Sequence, residues 1–134
     1  MKLLALLTMI AVLSGGAYAY ELNSLNTIQY SQGQTIEIET KILDTDAYAV
    51  TDAACSAYVT KDSDNSIILD TVNLTYNPDE EHFDYYWVPE LTWWEDIEQI
   101  WNPAIGNYHA YVLCTGGELG SRILVDVIAI QVVD

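Results

Sequence analysis

The sequence predicts an all-β protein, a two-sheet antiparallel sandwich of about seven strands. Three observations predict it. Short runs of residues alternate between apolar and polar, as half-buried strands do. Gly, Pro, Asn and Asp clusters separate these runs at sandwich-like spacing. Two cysteines fall in an early and a late run, where a disulfide can join them.

The clearest strand lies in the segment 35–43. Isoleucines alternate there with charged residues, so that Ile36 and Ile38 face one side while Glu37 and Glu39 face the other. This pattern predicts a strand with an apolar inner face and a charged outer face. Six more segments are predicted as strands: 27–30, 53–60, 66–74, 83–88, 108–114 and 122–133.

The N-terminus has the layout of a secretory signal peptide. Lys2 precedes an apolar run over 3–13, and small residues end at Ala19, which predicts cleavage before Tyr20. The alternative is a retained anchor, but the apolar run is shorter than the about 20 residues that a membrane span needs. We therefore expect residues 1–19 to be a signal peptide and 20–134 to be a single secreted or cell-surface domain, not inserted in a membrane.

Charge limits the partners of the predicted mature chain. Its basic residues are Lys41, Lys61 and Arg122; these three against twenty acidic residues give a net charge of −17. Phosphate backbones and anionic lipids are bound by clustered Lys and Arg, which this chain lacks. Nucleic acid is therefore excluded as a partner, and the charge is expected to favour solubility.

The two cysteines predict one disulfide, between Cys55 and Cys114, because exported chains generally pair their cysteines. On their predicted strands, both cysteines occupy positions of the alternating pattern that face the core. Two sheets packed about 10 Å apart would bring them together across the core. Closing a loop of this length would stabilise the fold by roughly 4 kcal/mol.

Several residues give the chain a family resemblance. Cys55, the segment 85–87, Gly106-Asn107-Tyr108 and Cys114 resemble immunoglobulin-like or fibronectin-like modules of secreted and cell-surface proteins, in which Gly-x-Tyr enters the penultimate strand. The sequence departs from the antibody pattern, since Val112 stands two residues before Cys114 where a Tyr is usual. No Trp lies in the strand after Cys55 either. The resemblance implies an immunoglobulin-like sandwich closer to the fibronectin type.

The segment 90–103 is unusually long for a loop between late strands. Thr92 and Glu95 fit a helix capping box, and apolar residues at three-to-four spacing predict a short helix over 93–101 as a Trp-rich insertion before the penultimate strand. Packing over one end of the core is one interpretation of this apolar stripe. The other is a binding patch for a carbohydrate or a protein partner. Its predicted residues are Trp93, Trp94, Tyr85 and Tyr86.

Catalytic and metal-binding motifs are sparse. Asp62, Asp64 and Asn65 offer oxygen ligands in one turn, but without the Gly and distal Glu of a calcium loop, so a solvated turn is expected. The histidines are His82, in a predicted acidic loop, and His109, on a predicted strand. We expect no catalytic residues, no metal site and no cofactor. Asn73 begins a weak Asn-x-Thr glycosylation sequon.

The sequence therefore predicts a non-catalytic binding or adhesion module. The alternative is a structural subunit of a surface assembly or filament, in which the apolar strand 123–133 would pair with a neighbouring sheet. Self-association is expected under that alternative. A hydrolase is the least favoured hypothesis, because no convergent set of catalytic residues is visible.

Overall fold

A computed structural model describes residues 20–23, 27–95 and 97–134, with the side chains of Asn23, Thr27 and Trp94 excepted. The predicted signal peptide, 1–19, lies outside this range. Within it, no helix is long and apolar enough to cross a membrane.

The described chain is all-β, with several sheets that are mainly antiparallel, which confirms the all-β class predicted from the sequence. Its strands are β1 Glu21–Asn23, β2 Thr27–Ser31, β3 Ile36–Leu43, β4 Ala54–Lys61, β5 Ile67–Asn73, β6 Thr75–Asn77, β7 His82–Trp87, β8 Glu90–Trp94, β9 Glu98–Asn102, β10 Gly106–Thr115 and β11 Leu124–Val133. A single 3₁₀ turn, Gly117–Leu119, lies between β10 and β11.

Two larger sheets and one hairpin organise these strands. One sheet has the order β1-β3-β7-β6, and the other has the order β2-β11-β10-β4-β5. Strands β8 and β9 pair only with each other among the described residues. The described part thus holds eleven strands, more than the predicted seven, because β1, β6 and the hairpin are short and carry no long alternation. One pair, β2 with β11, is parallel.

Apolar side chains from both larger sheets form one buried cluster, consistent with a β-sandwich. Ile38 and Phe83 come from the four-stranded sheet, and Val59, Val112 and Ile128 come from the five-stranded sheet. Strand β3 alternates between buried and half-buried residues along its whole length, which confirms the predicted strand. The charged residues of β3 therefore face away from the core.

The predicted disulfide between Cys55 and Cys114 is present, but its predicted position across the core is wrong. Cys55 and Cys114 lie directly opposite each other on β4 and β10, which are neighbours in the five-stranded sheet. Their Cα atoms are 4.1 Å apart. Inward parity placed both residues on the correct face, but parity does not distinguish a cross-strand pair from a cross-sheet pair. The disulfide therefore reinforces one sheet and does not link the two.

The predicted helix over 93–101 is also wrong, since β8 and β9 form an antiparallel hairpin there. The hydroxyl of Thr92, predicted to cap the helix, instead donates a hydrogen bond across the hairpin to the carbonyl of Ile100 at 3.2 Å. Glu95 adopts a positive φ of 51° in the turn. Aromatic and β-branched residues favour strands, and here that preference outweighed the helical spacing.

Candidate functional site

A groove of about 330 Å³ lies where the two sheets and the base of the hairpin meet. Strand β6 pairs only with the first three residues of β7, His82, Phe83 and Asp84. The described chain gives the rest of β7 no neighbouring strand on that side, and the groove opens there. Side chains from β5, β7 and the start of β8 form its walls. The lining residues are Ile68, Leu69, Tyr85, Tyr86, Trp87, Val88, Glu90 and Asn102.

The structure brings two of the predicted binding residues into this groove. Tyr85 packs partly against the core, whereas Tyr86, on the opposite side of β7, is 54% exposed. The negative charges of Glu37 and then Asp84 raise the pKa of Tyr86. The groove therefore offers an aromatic surface with a phenol that remains protonated at neutral pH.

Trp93, the third predicted binding residue, lies farther along the hairpin. Its side chain is 61% exposed, and it is separated from the groove residue Glu90 by three positions, about 10 Å along an extended strand. Ile97, in the hairpin turn, is also largely exposed. The side chain of Trp94 is outside the described structure. The predicted patch is thus a groove with Tyr85 and Tyr86, and a separate exposed Trp93.

The base of the hairpin is held against the sandwich. A Cβ atom added to Gly33, which has a φ of 86°, would meet the indole ring of Trp101 at 3.1 Å. Trp101 thus lies against the backbone of the turn between β2 and β3, where a residue without a side chain is required. Trp87 is buried in the core. Of the three described indoles, therefore, only that of Trp93 is mainly exposed.

The acidic turn considered for Ca²⁺ has internal partners for its carboxylates. Asp64 accepts hydrogen bonds from the amide and the hydroxyl of Ser66, and these bonds lower its pKa. Asp62 contacts the Nδ1 atom of His109 at 2.6 Å. Both carboxylates thus have partners within the protein. Asn73, at the end of β5, is exposed, as a glycan acceptor would need to be.

Sequence reasoning missed a second set of polar residues, on the outward face of the four-stranded sheet. His82 is the first residue of β7 and is buried, so its predicted place in a loop is wrong. Glu37, Glu39 and Asp84 surround its ring. Glu37 and Glu39 are two residues apart, as are His82 and Asp84. This spacing could have predicted that the members of each pair share one face of a strand. The pairing of β3 with β7, which are distant in sequence, was not visible.

No protein-family model and no curated protein sequence matches the chain.

Proposed function

We propose that the protein is a secreted or cell-surface, non-catalytic binding module with an immunoglobulin-like sandwich, and that its groove recognises a neutral carbohydrate. The observation that carries the proposal is the groove beside β7, where Tyr85 and Tyr86 combine aromatic surface with polar groups. Pockets for small ligands generally start at about 300 Å³, a size that the groove reaches.

The strand order supports the immunoglobulin-like part of the proposal. In such domains one sheet holds strands A, B, E and D, and the other holds C, F and G, with further strands in variable types. The orders β1-β3-β7-β6 and β11-β10-β4-β5 correspond to A-B-E-D and to G-F-C followed by an additional edge strand. The resemblance extends over both sheets.

Tyr108 supplies a second, local support. It lies near the start of β10 and its hydroxyl donates a 2.7 Å hydrogen bond to the carbonyl of Ala104. A tyrosine that binds upstream backbone at this corner is typical of immunoglobulin-like domains. Ala110 stands two residues later, where antibody domains carry a cysteine. The Cys55–Cys114 bond inside one sheet therefore differs from the antibody arrangement.

The groove chemistry favours sugars. Tyr rings stack on the apolar faces of pyranose rings, while the Glu90 carboxylate and the Asn102 amide can bond to hydroxyl groups. Glu90 and the net negative charge disfavour sulfated or uronic acid glycans. A neutral glycan is therefore the favoured ligand.

Glycan array screening followed by calorimetric titration of the purified protein tests this proposal. Tyr86→Ala should weaken binding by roughly three- to tenfold, the range that corresponds to the loss of one aromatic contact. Tyr48→Ala is the matched control, since Tyr48 is 72% exposed and does not line the groove. Failure to bind any neutral glycan, or equal effects of the two substitutions, would contradict the proposal.

The alternative function, a subunit of a surface assembly, has one supporting observation. Strand β2 covers only the second half of β11, Ala129–Val133, and the described chain leaves the first half unpaired on that side. Ile123 and Val125 are exposed there. Size-exclusion chromatography over a concentration range distinguishes the alternatives: a constant monomer favours glycan binding, and concentration-dependent oligomers favour assembly. Val125→Lys tests the edge directly, because Val125 does not belong to the core cluster.

Export is tested separately. Expression of the full chain in a secreting host should give an extracellular product whose N-terminal residue is Tyr20. An intracellular product that retains Met1 would contradict this part of the proposal.

A further inference from the structure

Four ionisable side chains converge on the outward face of the four-stranded sheet. Glu37 and Glu39 extend from β3, and His82 and Asp84 extend from β7. The two strands are neighbours, with Glu39 directly opposite Asp84 and Glu37 opposite Tyr86. Strand β6 pairs with β7 at His82 and Asp84 from the other side, whereas β1 pairs only with the end of β3, Lys41–Leu43. We call this set the His82 cluster.

The distances within the His82 cluster are short. The Nδ1 atom of His82 is 3.4 Å from Glu39 Oε2, and its Nε2 atom is 3.6 Å from Glu37 Oε1. The Nε2 atom is also 3.0 Å from Asp84 Oδ2, within hydrogen-bond range. Glu37, Glu39 and His82 each have one potential ligand atom, and these three atoms lie within 4.8 Å of one another.

We propose that Glu37, Glu39 and His82 form a binding site for a divalent transition-metal ion of the Zn²⁺ class. Zn²⁺ binds imidazole nitrogen and carboxylate oxygen at about 2.0–2.2 Å in a tetrahedron, which places neighbouring donors about 3.3–3.6 Å apart. The separation of 3.4 Å between His82 Nδ1 and Glu39 Oε2 is close to that spacing before any metal is bound, and the third donor, from Glu37, lies within the 4.8 Å limit of the set.

Asp84 is the positioning residue of the site. Its carboxylate accepts a hydrogen bond from His82 Nε2–H, which leaves Nδ1, on the side of Glu39, with the lone pair that a metal needs. Metal-binding histidines usually donate their second N–H to a carboxylate in this way. His82 and Asp84 are each only 8% exposed, so packing as well as hydrogen bonding fixes the ring.

The charge balance points to a cation. Three carboxylates surround one imidazole, and two of the four groups are largely removed from water. Lys41, which has the same parity on β3 as Glu37 and Glu39, pairs instead with Glu81 at 3.7 Å. A divalent ion would neutralise the negative charge of the carboxylates around His82.

The donor set also selects the class of ion. Ca²⁺ and Mg²⁺ prefer sites made entirely of oxygen, whereas a site with imidazole suits zinc and related ions. The side chains of Glu37 and Glu39 remain 35% and 27% exposed, which gives the ion an entry path. Three protein ligands leave a fourth tetrahedral position for water or for an oxygen of a bound molecule. The His109–Asp62 pair has similar chemistry but no third converging group among the described residues.

Calorimetric titration of the purified protein, without a histidine tag and after treatment with a chelator, tests the proposal. Zn²⁺ should bind with a stoichiometry of one per chain and release protons, and Co²⁺ should give the visible absorption of a tetrahedral site. Ca²⁺ should bind far more weakly. Glu39→Gln and Glu37→Gln, both at part-exposed positions, should each lower the Zn²⁺ affinity by roughly 10- to 100-fold.

His109→Gln is the matched control and should leave Zn²⁺ binding unchanged, because its partner Asp62 is not part of the His82 cluster. Asp84→Asn should weaken binding and alter the Co²⁺ spectrum, whereas a purely structural residue would change only stability. The absence of Zn²⁺ binding, or equal affinity in the parent and in Glu39→Gln, would overturn the proposal. So would binding of Ca²⁺ in preference to Zn²⁺.

Discussion

The outward faces of the two larger sheets follow the same alternation but carry opposite chemistry. On the five-stranded sheet, Tyr58 and Tyr111 stack at 5.0 Å with their rings 17° apart. On the four-stranded sheet, the corresponding central pair is Glu39 and Asp84, two acids directly opposite each other beside His82. Alternation thus decides which residues face out, and the residue types decide whether directly opposed side chains attract or repel each other.

The largest expected effect on stability comes from the disulfide on the inward face of the five-stranded sheet. The disulfide reinforces only the five-stranded sheet, so replacing Cys55 and Cys114 by Ala should lower the free energy of unfolding by about 2–4 kcal/mol. Urea unfolding followed by Trp fluorescence measures this. A double variant as stable as the parent would show that the pairing of β4 with β10 does not need the disulfide.

A smaller loss in the free energy of unfolding is expected from a substitution of Tyr108, which lies in the same sheet. Tyr108→Phe removes the hydrogen bond to Ala104 and should cost about 1 kcal/mol in urea unfolding. Tyr76→Phe is the control, because Tyr76 packs against Phe83 in the four-stranded sheet and no hydrogen bond of its hydroxyl is described. Equal losses in the two variants would argue against a specific role for the Tyr108 hydroxyl.

Alkaline pH tests the burial of Tyr108. Burial raises the pKa of Tyr108 above the ordinary value of 10.0. The unfolded chain therefore loses this proton first, and the folded state binds more protons in the window between the two values. The Tyr108 contribution to stability should be complete below pH 10 and should be lost as pH rises through the folded value. Urea unfolding at several alkaline pH values should show a weaker dependence in Tyr108→Phe.

The sequence predicted most of the sandwich but only part of its sites. The regular parity of β3, β10 and β11 predicted which residues are buried, because burial on one face imposes a period of two. The hairpin β8–β9 was missed because Trp93, Ile97 and Ile100 also fit a helical period. Local spacing could not choose between these two structures.

The sites depended on which strands are neighbours, and the sequence does not contain that information directly. Tyr85 and Tyr86 were predicted as binding residues from their residue type alone, and both line the groove. Ile68 and Leu69 join them only because the edge strand β5 of the other sheet borders the same groove. The His82 cluster likewise exists only because β3 pairs with β7.

Two double-mutant cycles at directly opposed positions test the comparison itself, and the acidic cycle has the smallest expected effect. Tyr58→Ala with Tyr111→Ala should give a favourable coupling of about 0.5–1.5 kcal/mol, as aromatic pairs do. Glu39→Gln with Asp84→Asn should give a coupling of opposite sign and a few tenths of a kcal/mol, because like charges opposite each other are destabilising. Chemical unfolding in the presence of a chelator measures both. Because Zn²⁺ bound to Glu39 and His82 would offset the repulsion between Glu39 and Asp84, repeating the second cycle with saturating Zn²⁺ should reverse its sign and leave the tyrosine cycle unchanged. A favourable acidic coupling without metal would mean that His82 alone neutralises the pair.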